Sequence, residues 1–322
     1  MGVADGTIRR ITINLDIMKS LICKVLLAAT FITALNIQGF SQTRSKEHDL
    51  SPFEGIVASD GFKVSITIGE RYSAKLSMDD ALESYVQCYV KAGVLYLELD
   101  GKGMPKDLKK NLKGKNNSEP TLVAMVTMPA LKTLTLNGDS QFFSSAKITA
   151  TDLVINLNGS SVANNLNITG KSLVLSATKN SKFTNVNVDV EDALSVSADG
   201  RAAVAIEGQA KNISIIGGGS ADINIKGEVE DNIKADVSSG SKLTLTGKAP
   251  SLELTGKGTT AKVDASTLKT GKALVSVTGV SADVSPVESL ELDLGRGAEV
   301  TFSGDPTVNI VKIQSASVLR KQ

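Results

Sequence analysis

One three-residue step constrains this chain more than any other feature. A small residue, a variable one and an apolar one recur nine times: Ser140-Gln141-Phe142, Ser161-Val162-Ala163, Ser181-Lys182-Phe183, Ala202-Ala203-Val204, Ala221-Asp222-Ile223, Ser241-Lys242-Leu243, Ala261-Lys262-Val263, Ala282-Asp283-Val284 and Ala298-Glu299-Val300. The successive offsets are 21, 20, 21, 19, 20, 20, 21 and 16 residues. Alternating stretches such as Leu134-Thr135-Leu136 and Leu292-Asp293-Leu294 precede the steps. Corners rich in Gly, Ser and Asn, such as Asn158-Gly159-Ser160 and Gly217-Gly218-Gly219, lie between. A fixed period of this length is the signature of a solenoid.

The physics of the repeat is direct. Strand side chains alternate in direction, and a strand advances about 3.3 Å per residue, so one repeat holds two or three short strands joined by corners. A single coil cannot bury its apolar positions alone, so coils must stack about 4.8 Å apart and share a core. Ser or Ala at the first position of each step implies an inward site where only a small side chain fits. The middle position faces outward, which would set Asp222 beside Lys242 and Lys262 beside Asp283 on adjacent coils. Exposed rungs of this kind are worth at most about 1 kcal/mol each. The expected fold class is therefore all-β: a single-stranded parallel β-helix, or β-solenoid, of about 20-residue coils, with an N-terminal antiparallel β module. Aromatic residues make up 4% of the chain and Trp is absent, which suits close-stacked strands filled by Val, Ile, Leu and Ala. Right-handed crossovers are the default for parallel strands.

The front of the chain reads differently. Met18, Lys19 and Lys24 lead into the apolar stretch from Val25 to Leu35, which is too short to span a bilayer as a helix. Gly39 and Ser41 supply small residues for cleavage after Ser41, so residues 18–41 read as a signal peptide and 1–17 as an upstream extension. Cys23 precedes the apolar stretch, whereas a lipidated cysteine must follow it. Residues 42–51 then read as a polar leader. In the module over 52–100, Phe62, Val64, Ile66 and Ile68 alternate as a half-buried strand, with residues 74–78 as its expected partner. Residues 79–85 suit one helical turn. The module is expected to cover the first open edge of the solenoid over 121–322 and to be continuous with it. Residues 101–120 break the alternation with Lys102, Lys106, Lys109, Lys110, Lys113 and Lys115 and read as a basic loop. That loop is either a solvated excursion or a patch for an acidic polymer.

Composition narrows the chemistry. Removing residues 1–41 takes away four basic and two acidic residues, leaving 31 basic against 32 acidic, so nothing favours nucleic acid. His48, the one histidine, lies in the expected leader and reads as solvated; without a second histidine no Ser-His-Asp or Cys-His arrangement can be assembled. Cys88, the sole cysteine after residue 41, alternates with Val86 and Val90 and reads as a buried small hydrophobe. The run Gly217 to Asp222 shares part of the glycine-rich nonapeptide that binds Ca²⁺ in other β-rolls, but it has Ser220 in place of a glycine and occurs once, on the wrong period. Catalytic, cofactor-binding and metal-ligating residues are expected to be none. The exception weighed is a glycosidase-like pair. Asp283 and Glu299 occupy equivalent steps of neighbouring coils, with Arg296 close in sequence, and paired carboxylates about 5–9.5 Å apart hydrolyse glycosides.

Several segments in order resemble the head GIN domain family, whose members are named auto-transporter adhesins: Phe53-Glu54-Gly55-Ile56, Gly61-Phe62-Lys63-Val64-Ser65-Ile66-Thr67-Ile68-Gly69, Gly93-Val94-Leu95-Tyr96-Leu97, Thr127-Met128-Pro129-Ala130-Leu131-Lys132-Thr133-Leu134, the corners at 158–161 and 218–222, and Gly304-Asp305-Pro306. The resemblance covers about residues 50–320. It implies an exported β-solenoid of the Bacteroidetes type, acting without catalysis at the periplasm, outer-membrane surface or outside the cell. A membrane-spanning barrel, which autotransport needs, has no room after the repeats in this sequence. The expected partner is a glycan, a matrix protein or an envelope polymer, or another copy of the chain, with no transmembrane segment after the signal peptide. The alternative is a polysaccharide lyase or glycoside hydrolase acting on acidic glycans.

Overall fold

Strict alternation of apolar and polar residues, interrupted every 20 residues or so by a turn, gives one long bent strand per coil. The structure, a computed structural model, describes residues 43–113 and 121–322. The expected signal peptide and upstream extension lie outside the described residues. The central coils are β10 (Ile148–Leu157), β11 (Val162–Ala177), β12 (Lys182–Ala198), β13 (Ala203–Gly217), β14 (Asp222–Ser238), β15 (Lys242–Lys257), β16 (Lys262–Thr278) and β17 (Ser281–Gly295), each parallel to the next. They follow β8 (Thr133–Leu136) and β9 (Gln141–Phe143), which form one coil in two pieces. The last full coil is β18 (Glu299–Phe302) and β19 (Thr307–Ile313), both on β17, and β20 (Val318–Lys321) starts a further rung on β18.

Each coil closes with a tight turn just before the small inward residue. The amide of Ser181 donates to the Thr178 carbonyl at 3.2 Å, and those of Ala221 and Ser241 do the same to Gly218 and Ser238. The second turn residue is left-handed at Gly159, Lys179, Gly200, Gly219 and Ser239. A Cβ on Gly219 would also lie 2.7 Å from the Gly200 nitrogen one coil below, so here glycine relieves both the backbone angle and the stacking. Halfway round, the strand bends where Gly208, Gly227 and Gly247 stack in register.

The inward column is buried throughout, and the hydroxyls of Ser161, Ser181 and Ser241 satisfy corner carbonyls. Ser161 Oγ donates to the Asn158 carbonyl, Ser181 Oγ to Thr178 and Ser241 Oγ to Ser238, at 3.0, 2.7 and 2.9 Å. Register corrects one expected member. Lys262 pairs with Ser281, so the residue stacked on Ala261 is Val280, and Ala282 lies between Val263 and Val300. The spacing across the last coils is then 19 and 18 residues, and Ser317 extends the column. Lys262 therefore does not face Asp283, whereas Asp222 does face Lys242 as expected.

The N-terminal module is more interleaved than expected. It comprises β1 (Thr43–Asp49), β2 (Gly55–Ala58), β3 (Lys63–Ile68), β4 (Ser73–Asp79), β5 (Val86–Lys91), β6 (Val94–Leu99) and, after the connection, β7 (Leu122–Met128). β2 and β3 already form a parallel coil, inserted between β8–β9 on one side and β6–β7 on the other. Among the described residues antiparallel pairing is confined to β1–β4, β4–β7 and β5–β6, so β4 partners β7 and not β3. Residues 43–49, expected as polar leader, instead form β1, because the free edge of β4 offers them a ladder. The stretch expected as a basic loop contains the helix α1 (Lys106–Lys113), whose Leu108 packs partly against the core. The expected turn is a 3₁₀ turn at Asp80–Leu82. It lies between β4 and β5, and buried Leu82 and Met104 cover the core at this end.

Candidate functional site

The residues singled out in the sequence do not converge. Asp283 registers with Asp264 and Thr301, whereas Glu299 registers with Ser281 and Val318, so the two acids are not equivalent rungs. Arg296 is exposed, and its backbone amide donates to Gln314 Oε1 at 3.1 Å. Gly217 to Asp222 is a corner whose Ser220 amide donates to the Gly200 carbonyl, and Asp222 starts β14 between Ala203 and Lys242. Among the described residues no three His, Cys, Asp or Glu side chains come together as a metal site. His48 is half-buried in β1, where burial and then Lys46 push its pKa down. Cys88 is a free thiol packed partly against the core, and burial pushes its pKa up to about 11.

What the fold does assemble is a strip without charge. On the face carrying β6, β2, β8, β10, β11, β12 and β13, two outward rows run along the stack in continuous register. One row is Val94, Gly55, Thr133, Val154, Val174, Ser195 and Ser214. The other is Tyr96, Val57, Thr135, Asn156, Ser176, Ser197 and Ile216. No Lys, Arg, Asp or Glu occupies either row, in a chain with 35 basic and 34 acidic residues. Charge returns with the next strand, where Lys234 and Asp236 continue the rows. Six inter-strand gaps of about 4.8 Å make the strip roughly 29 Å long.

The chemistry of the strip is mixed and available. Val174 and Ile216 are 39% and 56% exposed. The hydroxyls of Thr135, Ser176, Ser195, Ser197 and Ser214 carry no side-chain hydrogen bond among the described residues. The flanking row differs, because its groups are used internally: Asn158 Nδ2 donates to Asn137 Oδ1 at 3.1 Å, and Thr178 Oγ1 donates to Asn158 Oδ1 at 3.0 Å. Tyr96 stacks on Tyr89 at the end of the strip, with ring centroids 5.2 Å apart and planes at 9°. Tyr89 donates to Glu98 Oε1 at 2.8 Å, and that bond pushes its pKa up. Sequence reading missed the strip, since its members come from seven strands.

The sequence profile described as "Putative auto-transporter adhesin, head GIN domain" matches residues 52–184 and 161–306, most of the chain. The chain belongs to the head GIN domain family. No curated protein matches it. Similar solved structures include a putative lipid binding protein from Parabacteroides distasonis ATCC 8503, 17% identical over 89% of this chain and 99% of that one, with a TM-score of 0.44. A putative adhesin from the same organism is 16% identical over 88% and 99%, with a TM-score of 0.49. A putative adhesin from Parabacteroides merdae ATCC 43184 is 15% identical over 89% and 98%, with a TM-score of 0.44. Within this head GIN domain, the opening Phe53-Glu54-Gly55-Ile56 has a structural reason. Phe53 is buried, and a Cβ on Gly55 would lie 2.4 Å from Thr133 Oγ1, so the outward row passes β2 without a side chain. No helix among the described residues of this head GIN protein is long and apolar enough to cross a membrane.

Proposed function

We propose that this chain is an exported, non-catalytic adhesive solenoid that holds an extended, uncharged glycan along the strip of β6 to β13. The carrying observation is the strip itself: fourteen outward positions in register without one ionised side chain. A neutral sugar chain offers C–H faces for Val174, Ile216 and Tyr96 and hydroxyls for the serines and threonines between them. Its axis lies along the stack, where the side chains repeat about every 4.8 Å. An acidic polymer finds no cation in these rows, which argues against a polyuronate-degrading role for this face. The expected signal peptide and the family's adhesin description support export. The enzymatic alternative rested on Asp283 and Glu299 as paired rungs, whereas Asp283 registers with Thr301 and Glu299 with Ser281, which makes the two acids diagonal neighbours.

The test is affinity electrophoresis of the purified protein in gels containing neutral or acidic polysaccharides, with a reducing-end assay on the same polymers. Retardation by a neutral polysaccharide without new reducing ends is expected. Ser176→Lys combined with Ser197→Asp should abolish retardation while leaving the melting temperature unchanged, because both side chains point outward. Retardation that survives this double change, or release of new reducing ends, overturns the proposal.

A further inference from the structure

The two ends of the stack are finished differently. At the N-terminal end the core is closed by buried Leu82 and Met104, and the outermost strand of one sheet is β1, whose exposed side chains include Arg44, Lys46, Glu47 and Asp49. At the other end no described residue plays that role. Val308, Ile310 and Ile313 of β19 continue the inward columns of Leu290, Leu292 and Leu294, which are fully buried. Yet they are 37%, 48% and 51% exposed, because no further described coil covers them. Leu319 of β20 continues the column of Val300 and is only partly buried. Among the described residues β19 is paired only with β17 and β20 only with β18, so each presents a free ladder edge beside these apolar side chains.

We infer that this end is the interface of a reversible dimer, in which a second copy of the chain docks C-terminal end to C-terminal end. β20 lies one rung beyond β19 along the stack, so a two-fold axis parallel to the strands and between the sheets lays β19 antiparallel to β20 of the copy, and β20 to the copy's β19. Both sheets then run on across the interface, and the exposed column ends of one copy meet those of the other. Head-to-tail stacking would instead set these apolar side chains against the charged strand β1. It would also propagate without closing, whereas the two-fold contact stops at two. Size sets the strength. With seven residues in β19, the end measures roughly 23 Å by 20 Å, or about 900 Å² of projected surface over two copies. That is close to the lower bound of about 1,000–1,200 Å² for a specific interface, so the dimer dissociates on dilution. The rim carries Lys312, Arg320 and Lys321 against Asp305, a like-charged surround that added salt screens.

Sedimentation equilibrium of the purified protein over a concentration series tests this. A monomer–dimer equilibrium is expected that tightens as salt is raised and contains no larger species. Ile310→Glu should weaken it at least about tenfold, since it sets a carboxylate in the apolar contact, and Lys46→Glu at the other end should change nothing. Hydrogen exchange on the unaltered protein is a second readout: β19 amides should gain protection with concentration and β1 amides should not. A monomer at every concentration, a dimer indifferent to Ile310→Glu with β19 unprotected, or open-ended oligomers would each overturn the inference. None of these outcomes depends on glycan binding.

Discussion

Replacing Gly227 by alanine should split the solenoid. At this bend the strand turns so that a Cβ would point along the stack axis, into the coil below. It would lie 1.9 Å from the Gly208 carbonyl oxygen and 2.9 Å from its carbon, where real Cβ contacts essentially never fall below 3.0 Å. Those atoms are backbone and cannot rotate away, so β13 and β14 must part by roughly an ångström at Gly208–Gly227. Losing about two ladder hydrogen bonds there, at about 1 kcal/mol each, and the strain of overpacking, about 1–3 kcal/mol, together give about 3–5 kcal/mol. In a stack each coil contacts only its neighbours, so the loss concentrates at one seam. Urea unfolding followed by circular dichroism should show two transitions, each with a smaller denaturant slope than the single transition of the parent. Gly218→Ala is the control. Its Cβ would lie 2.8 Å from Asp199 Oδ1, the mobile end of an exposed side chain, and the change should be neutral within about 0.5 kcal/mol. A single Gly227→Ala transition within about 1 kcal/mol of the parent would refute the packing argument.

Other expectations follow from single groups. Ser181→Ala removes a buried hydroxyl that donates to Thr178 and Leu157 and should cost about 1 kcal/mol, whereas Ser140→Ala removes a buried hydroxyl with no partner and should be neutral or stabilising; thermal denaturation of both reads the sign difference. Lys226→Ala breaks the 2.7 Å pair with Glu207, but both side chains are mostly exposed, so the urea midpoint should move by less than about 0.5 kcal/mol. Cys88, held protonated to about pH 11, should react slowly with iodoacetamide in the native protein at pH 8 and readily in urea. The raised pKa also fixes a pH dependence. The unfolded thiol ionises first, so the parent should lose stability relative to Cys88→Ser as pH rises from the ordinary cysteine range through about 11, and not below it.

The alternation and the period were legible, and they carried the fold, because burial on one side of a pleated strand imposes a period of two wherever it occurs. What they could not carry is register in units of two. Val280-Ser281-Ala282 and Ala282-Asp283-Val284 both set apolar residues inward around a polar one, so a slip of two residues leaves every side chain on its expected face. Only the ladder distinguishes them, and it pairs Lys262 with Ser281. The slip was silent for burial but changed which outward side chains are paired: Asp283 meets Thr301 and Glu299 meets Ser281. The N-terminal order escaped for a related reason. Alternation in β2 and β3 says that they are half-buried, but not that a coil made from residues 55–68 is inserted between β6–β7 and β8–β9.

The strip is the extreme case of information that no linear window contains. Ser176 lies between Leu175 and Ala177, and Thr135 between Leu134 and Leu136; each is an unremarked polar residue on the outward side of a strand. Their shared property is the absence of charge, and that acquires meaning only when residues 55–57, 94–96, 133–135 and four later strands are laid side by side. Solubility alone does not require it, since β14 to β17 present Lys234, Asp236, Glu253, Glu291 and Asp293 on the continuation of the same rows. The same coil geometry thus accepts charged residues on one half of the face and lacks them on the other. Strand packing does not force that difference, because outward side chains in both halves leave the core unchanged. That asymmetry is the observation on which the proposed contact with an uncharged partner rests.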